Sequence, residues 1–212
     1  MFYVGVDLGQ ARDFTAVAVV EKAELRDGWD PVAYGWRKRV RLLVRFLERV
    51  PLGTTYPDVV ERVVGVTRAA ELTGRCDLAV DATGVGRPVV DLLEGRRLGC
   101  RRFLPAVITG GERESYSEGY YRLPKRDLMT WMQVLLQRGD LQIAARLAFR
   151  EELVEEMRLM ETRTTKAGRE QFGAWREGAH DDLVFAVALG CWAARHADPG
   201  MGSGRQRYWQ AL

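Results

Sequence analysis

Five aspartates stand where a carboxylate could do chemistry. Asp7 closes the apolar run FYVGVD. A buried, unpaired carboxylate there is strongly unfavourable, so it needs a cation or a hydrogen-bond donor. Asp13 lies at the mouth of the hairpin that this run begins, so both carboxylates can reach one end of a sheet. Asp81 ends a second apolar run, Leu78-Ala79-Val80, just before the small residues Ala82, Thr83 and Gly84. Asp181 and Asp182 open a long apolar stretch, LVFAVALGCWAA. Taken singly, plainer readings stay open: Asp13 as a turn residue, Asp81 as a helix cap, and Asp181 or Asp182 as a helix-start acid. Taken together, the acids fall at strand ends and a helix start next to one sheet edge. Crowded carboxylates repel one another unless a divalent cation compensates, and hard oxygen ligands select Mg²⁺ or Mn²⁺ over Zn²⁺. Such a set suits hydrolysis of a phosphodiester by two metal ions roughly 3.5–4 Å apart. No protein nucleophile is then required, and neither the two histidines nor any serine forms a triad motif.

The elements that must position these acids read as alternating strands and helices. Residues 2–8 and 14–20 are strand formers separated by GQARD, which predicts an antiparallel hairpin. A third strand is expected over 31–40, before the turn at Pro51-Leu52-Gly53. Val59, Val60, Val63, Val64, Val66 and Ala70 then recur at helical spacing over 56–72, and Gly74 stops that helix. Strand returns at 77–81, helix at 86–93 and strand at 102–108. Later come a helix over 125–137, a short strand over 141–144 and a helix over 147–160. A second hairpin, 162–165 with 171–175, carries the basic tip Lys166-Ala167-Gly168-Arg169, and the last helix covers 181–195. That helix has no charge from 183 to 194 and is apolar on every face, so it must be buried, yet it is too short to span a bilayer. The prediction is an α/β fold with five main strands in a mixed central sheet and helices on both faces. One domain over 1–196 and a flexible Gly-rich tail over 197–212 are expected.

Composition narrows the class without choosing a function. A chain of 212 residues, 47% hydrophobic and 29% charged, suits one globular domain with a substantial core. Its net charge of +3 does not by itself indicate nucleic-acid binding. The three cysteines, Cys76, Cys100 and Cys191, lack C-x-x-C spacing and sit beside apolar residues, so they read as structural thiols. With no signal peptide or membrane-length apolar run, a cytosolic protein is expected.

The segments VGVDLGQARDFTAVAVV, VDATGVGRPVVDLL, LPKRDLMTWMQVLLQRGDLQI and HDDLVFAVALGCWA occur in the order found in nuclease domains of viral large terminases. The chain resembles that family from residue 3 to about 195. The resemblance implies a ribonuclease H-like mixed sheet and a Mg²⁺- or Mn²⁺-dependent DNA endonuclease using two ions. Asp7, Asp81 and Asp182 then match metal ligands, and Asp13 matches an accessory acid. One acid of the pair is expected to dominate, because neighbouring residues on one helix point about 100° apart, and Asp182 is expected to be the direct ligand because it immediately precedes Leu183-Val184-Phe185-Ala186, the apolar run that fixes the helix against the sheet. Asp181 would orient a water or His180. His180 resembles a positioning residue beside the site, with a plain helix-start histidine open beside that reading. Complete large terminases also carry an ATPase with a Walker A loop, and no G-x-x-x-x-G-K-[ST] pattern occurs here. The chain is therefore not expected to drive packaging alone, and reads as an excised domain, a separately encoded nuclease or a prophage remnant.

Duplex DNA would cross the carboxylate end of the sheet. Arg87, Lys125, Arg126, Lys166, Arg169 and Arg176 flank the motifs or occupy the hairpin region, which makes them candidate phosphate contacts. Each alone also reads as a solvated surface charge. Implied partners are double-stranded DNA, a terminase ATPase domain, the small terminase subunit and the portal or capsid, in the host cytoplasm and without a membrane. Two other readings compete. One is an inactive DNA-binding or capsid-docking module that keeps the fold. The other is a nucleotide-binding domain like those of actin and sugar kinases, since VGVDLGQARDFTAV also resembles their phosphate-binding strand–turn–strand. That class needs a second such domain and a second Gly-rich loop, and it gives the HDD group no role.

Overall fold

The computed structural model describes residues 1–9, 13–84, 86–164, 170–173 and 180–197. The first apolar runs form the expected hairpin, β1 (Phe2–Asp7) antiparallel to β2 (Thr15–Asp30). β3 (Gly35–Val50) differs from its predicted span of 31–40. Residues 31–34 are the turn, and β2 and β3 are each 16 residues long. Two pairings explain the shift: Trp29 faces Trp36 across the strands, and Asp30 accepts from the backbone N–H groups of Val32 and Ala33, which closes the turn there.

α1 (Tyr56–Thr67) starts where Thr55 accepts from Asp58 N–H and a proline follows early in the first turn. It ends at Thr67 rather than at 72. The cause is tertiary: a β-carbon on Gly99 would lie 2.0 Å from the Thr67 carbonyl oxygen, so another segment crosses the helix end there. β4 (Cys76–Asp81), α2 (Gly86–Glu94) and β5 (Arg102–Thr109) follow the predicted order. Next come β6 (Ser115–Ser117), β7 (Tyr120–Pro124), α3 (Lys125–Gln137), β8 (Leu141–Ile143), α4 (Arg150–Leu159), the hairpin β9 (Glu161–Thr164) with β10 (Glu170–Gly173), and α5 (Asp182–His196). The five strands expected become eight in the main sheet, ordered β6-β7-β5-β4-β1-β2-β3-β8. β6 and β7 are too short to carry a clear two-residue period, and they extend the edge beyond β5.

Both faces of this mixed sheet are covered, as predicted. Tyr3, Ala16, Ala18, Val20, Ala79 and Ala106 point to the side packed by α3 and α5. Val4, Val6, Val17, Val19, Leu78 and Val80 point to the side packed by α1 and α2. α5 is buried from Asp182 through Ala194, which accounts for its uniformly apolar sequence. No described helix is long and apolar enough to cross a membrane. Cys76 and Cys191 are buried free thiols, each pushed up to about 12 by burial, and Cys100 is free and partly exposed.

Candidate metal centre

Strand register builds the site. In β1 and β4, which run parallel, Gly5 lies beside Ala79 and Val6 beside Val80, so the next step sets Asp7 beside Asp81. Asp81 in turn pairs with Ala106 on β5, Asp7 with Ala16 on β2, and Ala16 with Arg49 on β3. Ala106, Asp81, Asp7, Ala16 and Arg49 thus form one row across five strands. Adjacent strands are about 4.7–4.9 Å apart, so Asp7 and Asp81 are immediate neighbours.

α5 lies directly over this row. A β-carbon on Gly5 would sit 2.0 Å from the Ala186 carbonyl oxygen, and one on Gly190 would sit 3.4 Å from the Tyr3 carbonyl oxygen. Two strand residues advance about 6.6 Å and four helix residues about 6 Å, so the antiparallel match Tyr3–Gly190, Gly5–Ala186 continues to Asp7–Asp182. Missing side chains at Gly5 and Gly190 therefore let the helix approach and bring its acidic start over the acidic strand ends.

The electrostatics record that crowding. Asp7 is held well above the usual carboxylate range, first by burial and then by Asp81, Asp181 and Asp182 in that order, with Lys125 opposing. Burial also raises Asp81, while Thr83 pulls it back by donating to Oδ1 through both its backbone N–H, at 2.8 Å, and its hydroxyl. Asp182 is raised by burial and drawn down chiefly by Arg49. Among the described residues, no three His, Cys, Asp or Glu side chains are gathered closely enough to hold a metal ion as they stand. Two cations offset the acids instead: Lys125 Nζ is 3.7 Å from Asp181 Oδ2, and Arg49 Nε donates to Asp182 Oδ2 at 2.9 Å. The arrangement is a carboxylate cluster with excess negative charge and only oxygen donors, which suits a hard divalent cation.

Of the other candidates, His180 and Lys125 join the acids, and Asp13, Arg87 and Arg126 are exposed. Asp13 is exposed at the foot of β2, where Gly9 N–H donates to Thr15 Oγ1 at 3.1 Å. His180 Nδ1 lies 3.9 Å from Asp182 Oδ1, and its ring meets the Phe14 ring edge-on at 5.0 Å, which places it beside the acids. Lys125 belongs with the acids and also stacks 4.3 Å from the Phe185 ring centre. Arg126 is exposed and 3.6 Å from Asp127, while Arg87 lies over the Tyr120 ring. Lys166, Arg169 and Arg176 lie outside the described residues.

No protein-family model matches the chain, and no curated protein matches it. Solved structures do. The large terminase nuclease from thermophilic phage G20c with bound magnesium aligns at TM-score 0.60 and 20% identity, over 90% of this chain and 79% of that one. The large terminase nuclease domain of bacteriophage SPP1 with bound manganese aligns at TM-score 0.53 and 11% identity, over 91% and 86%. The fold is that of a large terminase nuclease domain. The human cytomegalovirus terminase nuclease domain, soaked with manganese, agrees at TM-score 0.53 and 15% identity, over 94% and 84%. This ribonuclease H-like architecture was expected from the four sequence segments.

Within this terminase nuclease fold, three residues near the acids escaped the sequence reading. Arg49 sits in the acid row, Glu156 on α4 joins it by an ion pair, and the Phe14 ring lies 4.9 Å beneath the Arg49 guanidinium. Glu156 is pushed up to about 7 by burial and by Asp182. The missing signal was register: once β3 is set against β2, Arg49 falls opposite Ala16 and hence in line with Asp7.

Proposed function

We propose that the chain is a divalent-metal-dependent endonuclease that hydrolyses phosphodiesters of duplex DNA, and that it cuts a viral genome during packaging. The observation that carries this reading is the placing of Asp7 beside Asp81 at the ends of two central strands, beneath Asp181 and Asp182 at the start of α5, with Asp7 raised by all three. Two Mg²⁺ or Mn²⁺ ions, when bound, would supply an activated water and stabilisation of the leaving oxygen. Asp7, Asp81 and Asp182 are the residues assigned to hold them, and Asp181, which also faces Asp7, is a fourth candidate ligand. Thr83 fixes the Asp81 carboxylate by donating twice to Oδ1, and Ile108 N–H holds the Thr83 hydroxyl at 2.9 Å. Lys125 offsets Asp181. Asp13 keeps an accessory role at most, since it is exposed at the rim.

Structural likeness supports the same class: G20c nuclease structures carry magnesium or cobalt, and the SPP1 domain carries manganese. DNA would cross the strand ends past Arg87 and Arg126, with Lys166, Arg169 and Arg176 as further candidate phosphate contacts, and would be bound with little base preference. The proposed partners are a terminase ATPase domain, the small subunit and the portal, in the host cytoplasm. A supercoiled-plasmid assay tests the core of this. The chain should nick and linearise plasmid with Mn²⁺ or Mg²⁺ and do neither with chelator, and undiminished cutting in excess chelator would sink the metal mechanism.

A further inference from the structure

Arg49 does more than lie near the acids. Its planar fork spans two carboxylates: Nε donates to Asp182 Oδ2 at 2.9 Å, and Nη2 donates to Glu156 Oε1. The second oxygen of Glu156 accepts from Val184 N–H at 3.1 Å, in the first turn of α5. Both carboxylate side chains are only 6% exposed and Arg49 is 14% exposed, so water does little to stabilise any of them. Phe14 closes the guanidinium's open face. A buried glutamate thus ties α4 to the start of α5 and anchors the arginine that holds Asp182.

We propose that Arg49 is a positioning residue, anchored by Glu156 and Phe14, which grips one oxygen of Asp182 and so orients this carboxylate for a divalent cation. The proposal rests on the nuclease reading and adds a requirement to it. Hydrogen-bonded partners of metal-binding side chains orient those ligands, and removing such partners commonly weakens metal affinity roughly 10–100-fold. Charge alone would act in the opposite sense, because a guanidinium beside Asp182 repels an arriving cation. Lysine cannot replace the fork, since a single ammonium lacks the rigid pair of donors that bridges two carboxylates.

The test separates orientation from charge. In the double variant Arg49→Gln with Glu156→Gln, compared with wild type at pH 8 to 8.5 where a Glu156 raised to about 7 is mostly ionised, nearly one positive and one negative charge are lost together, so the net charge around Asp182 is nearly unchanged while the clamp is gone. Mn²⁺ binding, measured by calorimetry on chain shown to melt cooperatively, should weaken roughly 10–100-fold. Arg49→Lys, which keeps the charge and the volume more nearly, should weaken it roughly tenfold and serves if the double variant does not fold. Wild-type Mn²⁺ affinity in either folded variant would overturn the clamp while leaving the nuclease reading intact. Wild-type chain that binds no Mn²⁺ would overturn both.

Discussion

Gly5 on β1 and Ala186 on α5 touch backbone to backbone: a β-carbon on Gly5 would lie 2.0 Å from the Ala186 carbonyl oxygen and 2.6 Å from Gly190 N. No flexible side chain is available to yield, so Gly5→Ala must lift the helix from the sheet. Overpacking of this kind costs about 1–3 kcal/mol. Cleavage should fall further than stability, because the same displacement moves Asp181 and Asp182 away from Asp7. A denaturant melt and a plasmid-nicking rate on the same protein check this; a variant with wild-type nicking would show that the helix start does not need this contact.

Asp7 gives the metal-free protein a pH signature. Its carboxyl titrates higher in the folded chain than in the unfolded one, because of burial and the neighbouring acids. Between those two values the folded state holds a proton that the unfolded chain has released, so stability falls as pH rises through the window. The cost is full above the folded value and disappears as pH drops into the ordinary carboxylate range. Asp7→Asn removes this contribution. With chelator at pH 7.5 it should melt about 2–4 °C higher than wild type, the shift expected for about 1 kcal/mol in a chain of this size. The gap should narrow on acidification and reverse when Mn²⁺ is added, while cleavage is lost. Parallel melting curves for the two proteins across pH would remove Asp7 from the cluster.

Periodicity and small residues made much of this site legible. Asp7 and Asp81 stood out because each ends an apolar strand, where a carboxylate has no ordinary reason to be. α5 was legible as a buried helix because residues 183–194 carry no charge. Arg49 was not legible, since its role depends on β3 continuing to Val50, well past the end at 40 that a local reading of Tyr34 and Trp36 suggests, as the partners Ala16–Arg49 and Thr15–Val50 show. Glu156 looked like one more charge on the acidic helix REELVEEMRL, and only its burial against Val184 and Arg49 distinguishes it. Lys125 reads from the sequence as a candidate DNA contact because it flanks a motif. Its place 3.7 Å from Asp181 is a long-range consequence of α3 packing beside α5.

That place separates Lys125 from Arg126. Lys125→Gln removes a cation that draws Asp7 and Asp81 down, so metal-free protein should lose stability at neutral pH and recover it on adding Mn²⁺. Arg126→Gln, at an exposed position, should change stability by less than about 0.5 kcal/mol. Equal melting temperatures for the two variants in chelator would return Lys125 to the surface charges.

Lys166 and Arg169 fall between β9 and β10 in the chain, and the DNA path proposed above depends on them. Replacing both with glutamate should weaken duplex binding and flatten its dependence on salt, because fewer counterions are released from the phosphates. Mn²⁺ affinity should stay unchanged. Filter binding or fluorescence anisotropy at several salt concentrations gives the slope, and an unaltered slope would route the DNA elsewhere.

The Asp181–Asp182 pair is where local structure changes the expected outcome. The sequence reading makes Asp182 the direct ligand and Asp181 a residue that orients its neighbours, because adjacent helical residues point about 100° apart. Asp181 is not in the helix: it is the residue before α5, with φ −136° and ψ 10°, and its carbonyl accepts the first helical hydrogen bond from Phe185 N–H at 3.0 Å. Helical geometry therefore sets no angle between the two side chains, and both can turn towards the strand ends. Their surroundings fit this. Both raise Asp7, Asp181 more than Asp182, while Lys125 offsets the first and Arg49 grips the second. Asp182→Asn and Asp181→Asn should then each reduce Mn²⁺-dependent cleavage by more than about 100-fold, beyond the usual range for a residue acting only through another. Asp182→Asn should in addition free Arg49 from one of its two partners and lower the metal-free melting temperature more than Asp181→Asn does. Single-turnover cleavage on plasmid, alongside melting in chelator, reads both effects. If Asp181→Asn keeps a tenth or more of the wild-type rate while Asp182→Asn is dead, Asp181 only orients its neighbours and Asp182 alone of the pair is the direct ligand.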